Sequence, residues 1–69
     1  MSDLNKIIGA RVQKCRREAG FTQVQVAPEL GISKIALSNI ERGRNRLAIE
    51  HILVMCHLFK VSATELLGF

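Results

Sequence analysis

Tryptophan and tyrosine are absent from this chain, and three phenylalanines are its only aromatic residues. Cysteine is scarce. Cys15 and Cys56 stand far apart, form no C-x-x-C pair, and are too few for a small secreted disulfide scaffold. Both read as reduced, core-facing thiols of a cytoplasmic protein, with a single disulfide as the alternative. No stretch has the layout of a signal peptide, and no apolar run is long enough to cross a membrane. Low-complexity segments, internal repeats and linkers are missing, so residues 1–69 read as one uninterrupted domain. No segment alternates apolar and polar residues over a useful length, which argues against a sheet.

Constellations for catalysis are missing as well. The histidines, His51 and His57, lie six residues apart and on different helix faces. No serine or cysteine is grouped with a histidine and a carboxylate. Cys56 and His57 are adjacent, but the remaining cysteine and histidine are scattered without metal-ligand spacing. There is no glycine-rich phosphate loop. The expectation is no enzyme, no catalytic residue, no metal, no cofactor and no small-molecule ligand.

The chain is instead apolar and basic. Hydrophobic residues make up 48% of its 69 residues, enough to fold around one small core. The net charge is +4 and the pI about 9.7. A small basic domain meets nucleic acid or another polyanion more often than average, although charge alone selects no partner.

Helix signals dominate. Ile8, Val12, Cys15 and Ala19 mark one apolar face of a first helix, from about Leu4 to Ala19, ended by Gly20. Thr22 and Gln25 form a capping box for a second helix, with Phe21 and Val26 placed as a hydrophobic staple and Gly31 as the stop. Ser33 caps a third helix, stapled by Ile32 and Leu37, that runs to about Arg42 and ends at Gly43. A fourth helix, from about Ala48 to Phe59, has a poor cap in Ala48. A fifth is opened by Ser62 and Glu65, with Val61 against Leu66. The pattern predicts five helices and no sheet. Pro28 falls inside the second helix, where a proline costs roughly 3 kcal/mol, so a kink or local fraying is expected near that helix's C-terminal end.

The third helix raises a specific question. Ala36, Leu37 and Ile40 share one arc and face the core, which sends Ile35 outward, roughly 150° away. Ser38 and Arg42 share that outer face, flanked by Lys34 and Asn39, and the face holds no acidic residue. One reading is a solvated face with a single stray apolar residue. The other is a helix lying in a DNA major groove. Lysine donates to guanine, asparagine pairs with adenine, an aliphatic side chain packs on a thymine methyl, and serine serves either role.

Two short capped helices joined by a turn holding Gly31 make a helix-turn-helix. At this point the chain strongly resembles the Xre/Cro family of lambda-repressor-like DNA-binding domains. The residues that carry the resemblance are "TQVQVAPELGISKIALSNIERG", with "IGARVQKCRREAG" before them and "LFKVSATELL" after. The family pattern is an arginine-bearing first helix, T-Q-x-x-x-A-x-x-x-G-[VI]-S, then I-E-x-G, then a V-S-x-x-x-L-L helix. The match runs from about Ile8 to Leu67. The fold it implies is all-α: a compact five-helix domain with the helix-turn-helix at helices 2 and 3.

The resemblance also implies roles. Ser33, Lys34, Ile35, Ser38 and Asn39 match the base-reading positions of the recognition helix. Gln23 matches a phosphate-clamping glutamine at the start of helix 2, where free amides and the helix dipole attract an anion. Arg16 and Glu41 match a buried salt bridge, the alternative for Arg16 being a DNA contact. The family lays the segment "ERGRNRL" along the DNA backbone, which makes Arg44 and Arg46 phosphate contacts; Arg42 either reads a base or supports its helix end. Two features depart from the pattern. Pro28 replaces a polar helix residue, and Leu47 and Ala48 replace a common Pro-Ser pair.

The fourth helix is apolar nearly all round, so something covers it. Ile49, Ile52, Leu53 and Cys56 are assigned to the core. Val54 and Leu58, with His51 and Met55 beside them and Phe69 at the chain's end, are assigned to an isologous interface built from helices 4 and 5. The alternative is that helix 5 and the C-terminus cover this face within the monomer. An interface there would set two recognition helices about 34 Å apart, one DNA turn, on a near-palindromic operator.

The expected function is that of a bacterial or phage transcriptional regulator, a cytoplasmic homodimer whose partner is double-stranded DNA. Phage Cro-like repressors and the controller proteins of restriction–modification systems are the small members it resembles, and "RGRN" leans toward the controllers. The chain stops after helix 5, so control is expected from concentration, operator arrangement or a partner. A protein-binding helix-turn-helix module, such as an antitoxin component, is the alternative from another class. It would tolerate acidic residues on the outer face of helix 3, which has none. A sequence-neutral binder would not need Lys34, Ile35 and Asn39, which suit base edges.

Overall fold

Thr22, Ser33 and Ser62 fix three helix starts by the same local chemistry. In a computed structural model of the protein, which describes residues 2–68, each has extended backbone angles. Their hydroxyls accept from the amides three residues on, at 3.2, 3.0 and 3.1 Å. Gln25 and Glu65 accept in return from the amides of Thr22 and Ser62 at 2.9 and 3.0 Å, completing two capping boxes. Such caps are each worth about 1 kcal/mol. The helices they open are α2 (Gln23–Leu30), α3 (Lys34–Glu41) and α5 (Ala63–Leu67), alongside α1 (Ser2–Glu18) and α4 (Ile49–Phe59). Among the described residues there is no strand.

Gly31 ends α2 in the left-handed region at φ 70°, which lets the Ile32 amide turn back to the Ala27 carbonyl at 3.1 Å. Pro28 does not fray the helix, contrary to the expectation. The helix runs unbroken through it to Leu30. Pro28 removes one bond, to the Val24 carbonyl. Ala27 and Leu30 flank it and are buried, so tertiary packing holds the turn. The weak start of α4 is present: Ala48 is extended and makes no side-chain cap. Lys60 ends α4 at φ 56°.

The core is a meeting point. Among the described residues its five fully buried large side chains are Val12, Val26, Leu37, Met55 and Leu66, one from each helix in chain order. Phe21 and Phe59 pack beside them with ring centroids 5.9 Å apart. Both cysteines are free thiols. Cys15 is buried, and that burial pushes its thiol pKa above the ordinary range.

The facing of α4 corrects the sequence-based assignment. Met55 is fully buried and Phe59 nearly so, whereas Ile49 and Leu53 are 73% and 68% exposed. Met55 therefore belongs to the monomer core and is unavailable to a partner. His51, Val54 and Leu58 are half-buried, and Val54 and Leu58 pack against the core cluster. The helix is apolar on most sides, and α2 and α5 decide which side turns in. Phe69 lies outside the described residues.

α1 lies unusually close to α3. At Gly9 an added Cβ would meet the carbonyl oxygens of Ile40 and Glu41 at 2.3 and 2.7 Å. Only a glycine lets the two backbones approach so near.

Candidate nucleic-acid interface

The close packing of α1 on α3 fixes how α3 is presented. Leu37, Ile40 and Glu41 are buried, Ala36 is half-buried, and Ile35 is 73% exposed. Lys34 is exposed beside it, and Ser38 and Asn39 are half-buried on the same outer side. Ser33 is exposed at the N-cap, where its oxygen accepts from the Ala36 amide and its own O–H remains to donate.

Lys34, Ser38 and Arg42, spaced four apart, form a ridge between two open grooves. The outer groove, about 430 Å³, is lined by Ile35, Asn39 and Arg44 as well as the ridge. The inner cleft, about 470 Å³, is walled on its far side by α1 and the start of α2. Arg42, Arg44 and Arg46 are all exposed. The loop that holds Arg44 is pinned to α3, because the Asn39 carbonyl accepts from the amides of Arg44 and Asn45 at 2.8 and 3.3 Å.

Behind this surface sits a buried ionic network. Arg16 Nε donates to Glu41 Oε2 at 2.7 Å and Nη2 donates to Oε1 at 3.1 Å. Arg16 Nη1 donates to the Phe21 carbonyl at 2.8 Å. All three nitrogens of the guanidinium are engaged inside the protein, which leaves Arg16 with a structural job. Gln23 Nε2 donates to Glu41 Oε1 at 2.9 Å. One carboxylate therefore ties α1, α3 and the start of α2 together. Gln23 keeps one amide N–H for anything outside.

The cleft also collects residues that the sequence reading did not assign to the interface: Gln13, Arg17, Thr22 and Val24. Gln13 and Arg17 are four apart on α1, on either side of the Arg16 position. That spacing was visible, but the apolar stripe of α1 drew attention to the opposite face. His51 stands apart from this surface, on α4. Among the described residues no group of three His, Cys, Asp or Glu side chains could hold a metal. Among the described residues no helix is long and apolar enough to cross a membrane.

Comparison with known proteins fits this geometry. A helix-turn-helix family model matches residues 12–66. The chain is 34% identical to an uncharacterized HTH-type transcriptional regulator, y4dJ, of Sinorhizobium fredii, over 93% of this chain and 83% of that protein. The crystal structure of the clp gene regulator ClgR from C. glutamicum superposes with a TM-score of 0.84 at 29% identity, covering 94% of this chain and 83% of that one. The restriction-modification controller protein C.AhdI from Aeromonas hydrophila superposes with a TM-score of 0.80 at 24% identity, over 96% and 98% of the two chains. That last likeness is one of fold.

Proposed function

The chain belongs to the Xre-like helix-turn-helix family, and from that premise we propose that it is a sequence-specific transcriptional regulator that binds operator DNA as a homodimer. One observation carries the reading: α3 presents an outer face without a single acid, with an exposed Ile35 at its centre and arginines at its end. A major groove about 12 Å wide admits such a helix. Lys34 and Asn39 pair with base edges, Ser33 and Ser38 add short polar contacts, and Ile35 packs on a thymine methyl. Arg44 and Arg46 lie along the phosphates and Arg42 at the groove edge. Gln23 faces the backbone through its remaining N–H and the amides at the start of α2.

The dimer half of the proposal rests on α4. Ile49 and Leu53 are exposed one turn apart, a ridge suited to a second copy of itself across a two-fold axis. The proposed interface is therefore centred on Ile49 and Leu53, with His51, Val54 and Leu58 at its inner edge. The two copies of α3 then fall about one DNA turn apart.

Selection of bound duplexes from a random library at near-physiological salt tests the reading. The expected result is a two-fold-symmetric motif with half-sites about 34 Å apart. Salt-sensitive binding without a motif would reduce the protein to a non-specific basic domain. No binding at any salt would overturn the DNA reading.

A further inference from the structure

The inner cleft holds more positive charge than the recognition helix explains. Its walls carry four cationic side chains and one carboxylate. Arg16 and Glu41 neutralise each other in the buried pair. That leaves Arg17 on α1 facing Lys34 and Arg42 on α3, and among the described residues no acid besides the paired Glu41 lines the cleft. Among the described residues none of the three forms a salt bridge. Like charges converging from two helices repel unless an anion lies between them. The amides of Gln23 and Val24, at the lip of the same cleft, are the first of α2 and have no intrahelical acceptor.

We propose that this cleft seats one DNA backbone phosphate and that Arg17 is its principal ligand, a contact made from α1 and outside the helix-turn-helix. The proposal rests on the DNA-binding reading above and deepens it. Gln23, the clamp that the sequence suggested, already gives one N–H to Glu41 and is held in place by it. Arg17 is exposed, and among the described residues its guanidinium makes no hydrogen bond, so its planar fork can meet two phosphate oxygens at once. A phosphate held from α1 on one side and from Arg42 on the other fixes the angle at which α3 enters the groove. Phosphate contacts of this kind position a domain without reading sequence.

The test uses the full chain and the operator duplex from the selection, with affinity measured by fluorescence anisotropy over a range of salt. Arg17→Gln is compared with the parent on operator and scrambled DNA. A series of duplexes carries one neutral methylphosphonate each in place of a phosphate. Arg17→Gln is expected to weaken both DNAs alike and to flatten the log-log salt slope by about one per subunit. One methylphosphonate position should weaken the parent and leave Arg17→Gln unchanged. An unaltered slope, or losses that add at every methylphosphonate position, would overturn the cleft contact while the selected motif upheld DNA binding. A parent protein that bound no duplex would overturn both. Arg17 is exposed on the helix surface, and an unchanged thermal melt confirms that the variant is folded.

Discussion

Replacing Gly9 by alanine is a sharp test of how α3 is held, because two effects of opposite sign compete. In an unencumbered helix the change stabilises by roughly 1 kcal/mol, since alanine is the better helix former. Here the new methyl would lie 2.3 Å from the Ile40 carbonyl oxygen and 2.7 Å from that of Glu41. Carbon–oxygen contacts settle near 3.3–3.6 Å, so α1 would have to retreat by about 1 Å. Both obstacles are backbone atoms, and neither can rotate away. Overpacking of this kind costs about 1–3 kcal/mol, sometimes more, and outweighs the propensity gain. The retreat would also strain the Arg16–Glu41 pair, which spans the same two helices. The expected result is a fall in the urea midpoint and a melting temperature lower by about 4 °C or more for a domain of this size. DNA affinity should drop in parallel. A Gly9→Ala protein more stable than its parent would refute the close packing of α1 on α3.

Glu41→Gln leaves Arg16 charged, buried and short of its partner, and should cost about 3–5 kcal/mol in chemical denaturation; a loss under about 1 kcal/mol would mean that the pair is solvated. Lys60→Gly relieves a left-handed backbone at φ 56° and should raise stability by roughly 1 kcal/mol, read as a higher melting temperature; no gain would place the strain elsewhere. Leu53→Lys changes a side chain that is 68% exposed, so the monomer's stability should move by less than about 0.5 kcal/mol while sedimentation shows weaker self-association; an unchanged dimer would remove Leu53 from the interface. Ile35→Ala should reduce discrimination of thymine over uracil at one operator position, and an unaltered preference would discard the methyl contact.

The helix starts were legible because their chemistry is local. Thr22 with Gln25, and Ser62 with Glu65, hold both partners of the box within three residues. Ser33 and the outward Ile35 followed from one helix's periodicity. The facing of α4 was not legible, since a helix apolar on most sides takes its orientation from its neighbours. Met55 turned in and Ile49 and Leu53 turned out because α2 and α5 cover the side they do. The fraying expected at Pro28 failed for a related reason: propensity counted a lost bond, and burial of Ala27 and Leu30 outweighed it. Arg17 and Gln13 gain meaning only once α3 stands opposite them. No spacing rule within α1 announces that.

One buried side chain from each of five helices also has a consequence for the life of the molecule. Val12 is synthesised first and Leu66 last, so the core cannot close until nearly all of the described chain has left the ribosome. A nascent fragment with α1 to α4 complete still lacks its fifth wall. Small single domains as a class unfold and fold in a cooperative, all-or-none transition. On the DNA-binding reading, a chain halted before α5 is then expected to bind no operator, rather than to bind it at reduced strength.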